Sequence, residues 1–387
     1  MRIASELGYR LSAVTAVAVL AGCNGSGAST SMPSIAQTGA EMQAPVRAKA
    51  GDTAVPACVG RGFGTATCDA LIRTDVVPGL RPDVSGYGPA DLQAAYNLPS
   101  STDGAGQIVA IVDAYDNPNV ASDVAAYRAE FGLPPANLVK YNQNGQTGNY
   151  PAPNTGWGVE IDLDSEMVSA SCPLCTIYLV EADSSGASDL QTAEAEAVTL
   201  GAHVVSNGFT GTGLKRSSFD TSGVTYLGSA GDGGQGVGEP AAFGTVVAVG
   251  GTSLSRGGGG KRGWTESVWK ASGGGCTTEP KPRWQHDTAC AFRLANDVSA
   301  VGDPNTGVAE YDTYGYGGWF VVGGTGVATP FLAGVFGLAG NAGMQDGGRT
   351  FWQKEHQQYL YRLKSGGKYV RYSTTGGWGS PNGVRAF

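Results

Sequence analysis

Trp319-Phe320-Val321-Val322-Gly323-Gly324-Thr325-Gly326-Val327-Ala328-Thr329-Pro330 decides how this chain is read. An apolar, strand-like run enters a pair of glycines, and a small apolar stretch from Phe331 to Ala339 leaves with helical character. Strand, tight glycine turn and helix is the geometry that raises a side chain into a cleft at a helix N-terminus, where backbone N–H groups face an anion. Residue 326 stands at that spot and, being glycine, has no side chain to raise.

The chain upstream alternates strand-like and helix-like segments. Ile108-Val109-Ala110-Ile111-Val112 is a continuous apolar run, as in a strand buried on both faces. Val120 to Phe131 follows with apolar residues at helical spacing. Thr176 to Val180 predicts the next strand, and Ser188 to Leu200 a helix capped by Ser188 with Gln191 at N3. His203 to Ser206, Val224 to Leu227 and Thr245 to Val249 predict further strands. This alternation predicts an α/β sandwich with a mostly parallel central sheet. Sites in such folds lie at the carboxyl ends of strands, which directs attention to Asp113, Asp232 and the 323–330 turn.

The chain has 387 residues, of which 41% are hydrophobic and 15% charged, enough for one large core with many loops. Its 62 glycines favour turns and close backbone approaches over a helical bundle. With a net charge of −8 and no basic tract, nucleic acid is excluded as an expected partner.

The N-terminus reads as an export signal. Leu11 to Leu20 is apolar but too short to span a membrane, and it ends in Leu20-Ala21-Gly22-Cys23. That box resembles a bacterial lipoprotein processing site, with cleavage before Cys23 and a lipid on its sulfur; ordinary signal cleavage nearby is the alternative. The expected organisation is a signal peptide over 1–22, a tether and Cys-bearing lead-in over 23–86, and a folded domain over 87–387. An exported monomer is expected, secreted or held at the cell envelope, touching the membrane only through Cys23. The six remaining cysteines fall in close pairs, Cys58 with Cys68, Cys172 with Cys175 and Cys276 with Cys290, which suits three local disulfides. Cys172-Pro173-Leu174-Cys175 read alone is also open to a redox or metal role.

Two groups of acids could do chemistry. In Gly156-Trp157-Gly158-Val159-Glu160-Ile161-Asp162-Leu163-Asp164, a helix would put Glu160 and Asp164 at i and i+4 on one face. Two carboxylates in contact cannot both ionise cheaply, so one keeps a proton and the pair can act as acid and base. The plainer reading is a charged surface, with Asp162 and Glu166 adding to it. In Gly228-Ser229-Ala230-Gly231-Asp232-Gly233-Gly234, a strand delivers Asp232 into an open glycine turn. Protonated, Asp232 could donate to a developing oxyanion; otherwise it makes an Asx-type turn contact.

Taken together, Trp157, Glu160 and Asp164, then Ser229, Gly231, Asp232 and Gly234, then Gly324, Thr325 and Pro330 resemble the sedolisin family of serine-carboxyl peptidases. Tyr87-Gly88-Pro89-Ala90-Asp91-Leu92, Val249-Gly250-Gly251-Thr252-Ser253, Asp297-Val298-Ser299-Ala300 and Gly379-Ser380-Pro381-Asn382-Gly383 extend the likeness across residues 87–387. The resemblance implies a subtilisin-like three-layer sandwich and an endopeptidase that works on polypeptides at acid pH. It implies that Glu160 is the general base, that Asp164 orients it, and that Asp232 is the protonated oxyanion donor. The nucleophile would be residue 326, where the family has Ser and this chain has Gly326.

A glycine cannot form an acyl-enzyme, and loss of the serine costs subtilisin roughly a million-fold in turnover. The resemblance therefore leads to an impaired peptidase, or to a non-catalytic relative that binds peptides or a partner protein at the envelope. Thr325 and Thr329 are the neighbouring hydroxyls, and neither is expected to substitute for the serine. No cofactor is implied except calcium, which the family binds near its C-terminus. Here Arg362, Lys364 and Lys368 stand where Asp ligands would be, so weak binding or none is expected there. The stretch between Cys23 and Tyr87 is short beside the family's prosegment. None of His203, His286 and His356 lies in a run like that around a subtilisin histidine, so Asp113 reads as a structural or rim acid. The aromatic run Tyr311, Tyr314, Tyr316, Trp319 and Phe320 reads as core or cleft lining.

Overall fold

A computed structural model describes residues 53–387 apart from positions 61, 77, 80–83 and 259. The residues read as signal and tether, with Cys23, lie outside the described residues. The lead-in supplies three short strands, β1 (Ala54–Pro56), β2 (Ala66–Cys68) and β3 (Leu71–Arg73). Regular structure therefore begins well before Tyr87, and these strands are built into the fold.

A ten-stranded sheet forms the centre. Six of its strands run parallel in the order β5 (Asn137–Asn142), β6 (Thr176–Ala182), β4 (Ile108–Ala114), β7 (Val204–Asn207), β9 (Thr225–Ser229) and β10 (Val246–Arg256). Between β7 and β9 the chain makes a short separate strand, β8 (Phe209–Gly211). After β10, β11 (Trp264–Val268) returns antiparallel. A two-stranded ribbon of β12 (Gly275–Cys276) and β13 (Leu294–Ala295) follows, and β14 (Val298–Val301) then lies parallel to β10. In β4 every residue after Ile108 is buried, although successive side chains point to opposite faces, so both faces are covered.

The cover comes from helices α1 (Pro89–Tyr96), α2 (Val120–Glu130), α3 (Thr155–Ser171), α4 (Ala187–Thr199) and α5 (Thr325–Ala339). α3 and α5 pack against each other and against the sheet, with α1 and α2 outside α3, while α4 lies over β4 and β6. This is the expected α/β sandwich with a mostly parallel centre. One local expectation differs. Ser188 lies inside α4, whose N-cap is Gly186, and Gln191 Nε2 donates to the Ala187 carbonyl at 2.6 Å, so no capping box forms. The strand leading to Gly326, β16 (Gly318–Gly323), pairs with β15 (Val308–Asp312) and β3 in a separate antiparallel sheet, in the order β1-β3-β16-β15. An apolar run marks a buried strand but carries no record of which sheet it joins.

Three disulfides join Cys58 to Cys68, Cys172 to Cys175 and Cys276 to Cys290, as the spacing suggested. The Cys172–Cys175 pair is thus a cross-link at the end of α3. Trp319 packs against Tyr127, Phe131 and Tyr311, so the aromatic run contributes to the core.

Candidate active site

α3 begins where Asn154 Oδ1 accepts the N–H groups of Gly156 and Trp157, at 3.0 and 3.1 Å. From Gly156 onward all its residues are buried, including Glu160, Asp162, Asp164 and Glu166. The charged-surface reading is therefore overturned: α3 is enclosed by α1, α2, α5, β15 and the sheet. Glu160 and Asp164 meet under Gly208. A side chain there would strike Glu160 and come within 2.8–2.9 Å of both Asp164 oxygens, so the two carboxyls would have to give way.

Burial first, then the charges of Asp164, Asp113, Asp69 and Asp232, hold the Glu160 carboxyl well above its usual range. Burial and then Asp113 do the same for Asp164, opposed by the adjoining Glu160 carboxyl. The pair is thus set to share a proton. Asp113, at the end of β4, is fully buried and is raised by burial. It is no rim acid but a third member of this acid group. Its position after an apolar strand was the signal, and only the packing of β4 on α3 gave it a partner.

Gly326 is the second residue of α5, and its neighbours come from both other motifs. A Cβ built there would collide with Glu160 Oε1. Asp232, just past β9, accepts the Thr325 N–H at 2.8 Å and the Thr325 hydroxyl at 3.0 Å. The start of α5 and the Asp232 turn are thus joined directly. Thr329 Oγ1 donates to the Thr325 carbonyl and contacts Ser229 Oγ, each at 2.8 Å. Both nearby hydroxyls are committed inside the turn. Glu160, Asp164, Asp232 and Gly326 are therefore brought together around one groove at the start of α5.

The groove holds a feature the sequence did not announce. Residues 64–73 of the lead-in run through it as an extended strand. Ala66 N–H donates to the Ser185 carbonyl at 2.8 Å, and Ala187 N–H to the Gly64 carbonyl at 2.9 Å. On the other side β2 pairs antiparallel with β8, with Thr67 opposite Thr210 and Cys68 opposite Phe209. Asp69 N–H then donates to the Gly208 carbonyl, and Gly326 N–H donates to the Asp69 carbonyl, both at 3.0 Å. Beyond Asp69, β3 pairs with β16, Leu71 opposite Gly323 and Ile72 opposite Val322.

An extended chain held on both edges, with one carbonyl on the helix N-terminus, is how a protease cleft seats a peptide. The Asp69 side chain is hydrogen-bonded by the Thr210 hydroxyl. Thr210, Gly231, Asp232 and Gly238 line a cavity of about 270 Å³ beside it. A Cβ on residue 326 would lie 2.8 Å from the Asp69 carbonyl oxygen and 3.0 Å from its carbon. Gly324, with φ +107°, makes room for the same carbonyl.

No family model matches the chain. It is 30% identical over 294 residues to kumamolisin of Bacillus sp. (strain MN-32), covering 64% of this chain and 51% of that protein. It is 25% identical over 351 residues to sedolisin of Pseudomonas sp. (strain 101), covering 77% and 59%. The chain thus spans just over half the length of these two relatives. Among solved structures, Pseudomonas sedolisin complexed with two molecules of pseudo-iodotyrostatin superposes with a TM-score of 0.65 at 23% identity, over 77% of this chain and 96% of that one. Sphericase gives 0.50 at 17% identity, over 76% and 97%. Motif order, fold and relatives agree: the chain is similar to the sedolisin family of serine-carboxyl peptidases and has a subtilisin-like fold.

Proposed function

We propose that this chain is a sedolisin-type peptidase domain that binds an extended peptide strand but does not cleave it. The carboxyl machinery of Glu160, Asp164 and Asp232 is retained in the groove, while residue 326 has no hydroxyl to attack with. The reading rests on one observation: the Gly326 N–H holds the Asp69 carbonyl at 3.0 Å, where a scissile carbonyl would sit. The chain's own residues 64–73 thus take the place of substrate. Strand 64–73 has to leave before a peptide or partner protein with an extended segment can enter.

The three disulfides suit an oxidising compartment, and export agrees with them. Attachment to the envelope through a lipid on Cys23 is part of the same proposal. So is the monomeric state, in which the groove is filled within one chain.

The test compares the protein and its Gly326→Ser variant on a denatured polypeptide at about pH 4, close to the ordinary carboxyl range. The unmodified protein should be silent. Cleavage by the unmodified protein that vanishes in Glu160→Ala overturns the non-catalytic reading. Silence of both proteins would mean that more than the hydroxyl has been lost from the cleft.

A further inference from the structure

Behind the groove, on the face of α3 turned towards β15, lies a second group of acids that the peptidase chemistry does not use. Asp123 of α2, Asp162 of α3 and Asp312 of β15 are all buried, and one oxygen from each lies within 4.8 Å of the others. Asp162 Oδ2 accepts Asn117 Nδ2 at 2.6 Å, but its Oδ1 has no hydrogen-bond partner. Asp312 Oδ1 accepts the Gly315 N–H at 2.7 Å, and its Oδ2 has none. Asp123 accepts from the N–H and hydroxyl of Thr313 at 2.8–3.0 Å, which fixes its orientation.

A separate observation points to a ligand. Glu310, two residues before Asp312 and so on the same face of β15, is fully buried, and neither of its oxygens has a hydrogen-bond partner. Its strongest charged neighbours are Asp312 and Asp162. Among the described residues no ion pair reaches these four carboxyls. Lys140 is paired with Asp116 and Glu181. Arg128 spends its donors on the carbonyls of Pro134 and Pro173 and on Ser169. Buried carboxylates without partners are costly, and a protein normally answers with a cation or a proton.

We propose that Asp123, Asp162 and Asp312, with the buried Glu310 carboxyl beside them, form a binding site for a hard divalent cation, calcium by its chemistry. The donors are all oxygen, with no nitrogen or sulfur among them, which is the preference of calcium rather than of zinc or copper. The site lies apart from the C-terminal segment where the family resemblance would put calcium. A cation here ties α2, α3 and β15 together and braces α3 from the side opposite Glu160 and Asp164.

The test uses the full chain, stripped with a chelator at pH 7. Thermal unfolding is followed as calcium is added, and terbium luminescence is sensitised by Tyr311, Tyr314 or Tyr316. Calcium should raise the Tm in a saturable way, and it should displace terbium. Asp312→Asn and, separately, Glu310→Gln should each weaken calcium binding by about tenfold or more, since affinity follows ligand charge count. A Tm indifferent to calcium with no terbium signal overturns the proposal. So does a calcium increment that survives undiminished in both variants. If the cluster is only a set of protonated acids, the amide variants melt higher than the parent whether or not calcium is present. Should Asp312→Asn fail to fold, Glu310→Gln and the terbium competition on the parent protein still decide the matter.

Discussion

The amide of Gly326 and the carbonyl of Asp69 form a 3.0 Å hydrogen bond between the start of α5 and a strand from the other end of the chain. That bond aligns the Asp69–Ala70 peptide with the place where a nucleophile would act.

Restoring the hydroxyl should therefore turn the bound strand into a substrate. In Gly326→Ser, the serine Oγ attacks the Asp69 carbonyl carbon and Glu160 takes its proton. The bond to Ala70 N breaks, the proton goes to that amine, and water then releases the acyl group. Cys58 and Cys68 both precede Asp69, so no disulfide among the described residues ties the released piece to the rest. Intact mass after incubation at about pH 4 should show a break after Asp69, absent when Glu160→Ala is added. An uncut double-checked Ser variant that nevertheless cleaves added polypeptide would show that the strand is not seated as substrate.

Gly326→Ala asks whether close packing at this point matters. Helix propensity alone would favour alanine by about 1 kcal/mol. Against it, the methyl would stand 2.8–3.0 Å from the Asp69 backbone and press on Glu160. Overpacking costs about 1–3 kcal/mol, and backbone cannot swing aside as a side-chain tip can. The expected result is a lower Tm with faster hydrogen exchange at Asp69 and Ile72. Unchanged exchange at those amides would contradict the tight fit.

The Cys58–Cys68 disulfide closes a loop on the groove strand. Replacing both cysteines by alanine should cost about 2–3 kcal/mol, in keeping with so short a loop, and it should loosen residues 64–73. A labelled peptide copying those residues should then bind the variant and not the parent. Equal binding to both would mean that the strand leaves the groove freely.

Acid should stabilise the protein. Asp113 and Glu194 are held well above the carboxylate range by burial, and the buried Glu160–Asp164 pair keeps one proton between its two carboxyls. Burial also lifts Glu181 to about 9, with Lys140 opposing it. Such groups keep protons in the folded state that the unfolded chain gives up near pH 4. Their contribution is complete below that pH and is lost as pH rises through the folded values. With chelator present, the Tm should fall from about pH 4 upward, the last loss coming near the Glu181 value. A Tm that climbs between pH 4 and 7 would count against protonated buried acids.

Local pattern in the sequence determined a good deal: the α/β alternation, the i,i+4 relation of Glu160 and Asp164, the three cysteine pairs, and the absence of a hydroxyl at Gly326. Each is a property of residues close together in the chain, where period and spacing are physically enforced. Tertiary structure alone decided that α3 is buried on every side, that Asp113 joins the acid pair, that β16 belongs to a second sheet, and that residues 64–73 fill the groove. These depend on edge-to-edge backbone hydrogen bonds and on close approach at Gly208, Gly324 and Gly326. Backbone donors and acceptors are the same at every residue, so a strand such as Thr65 to Ile72 carries no mark of the partner it will find.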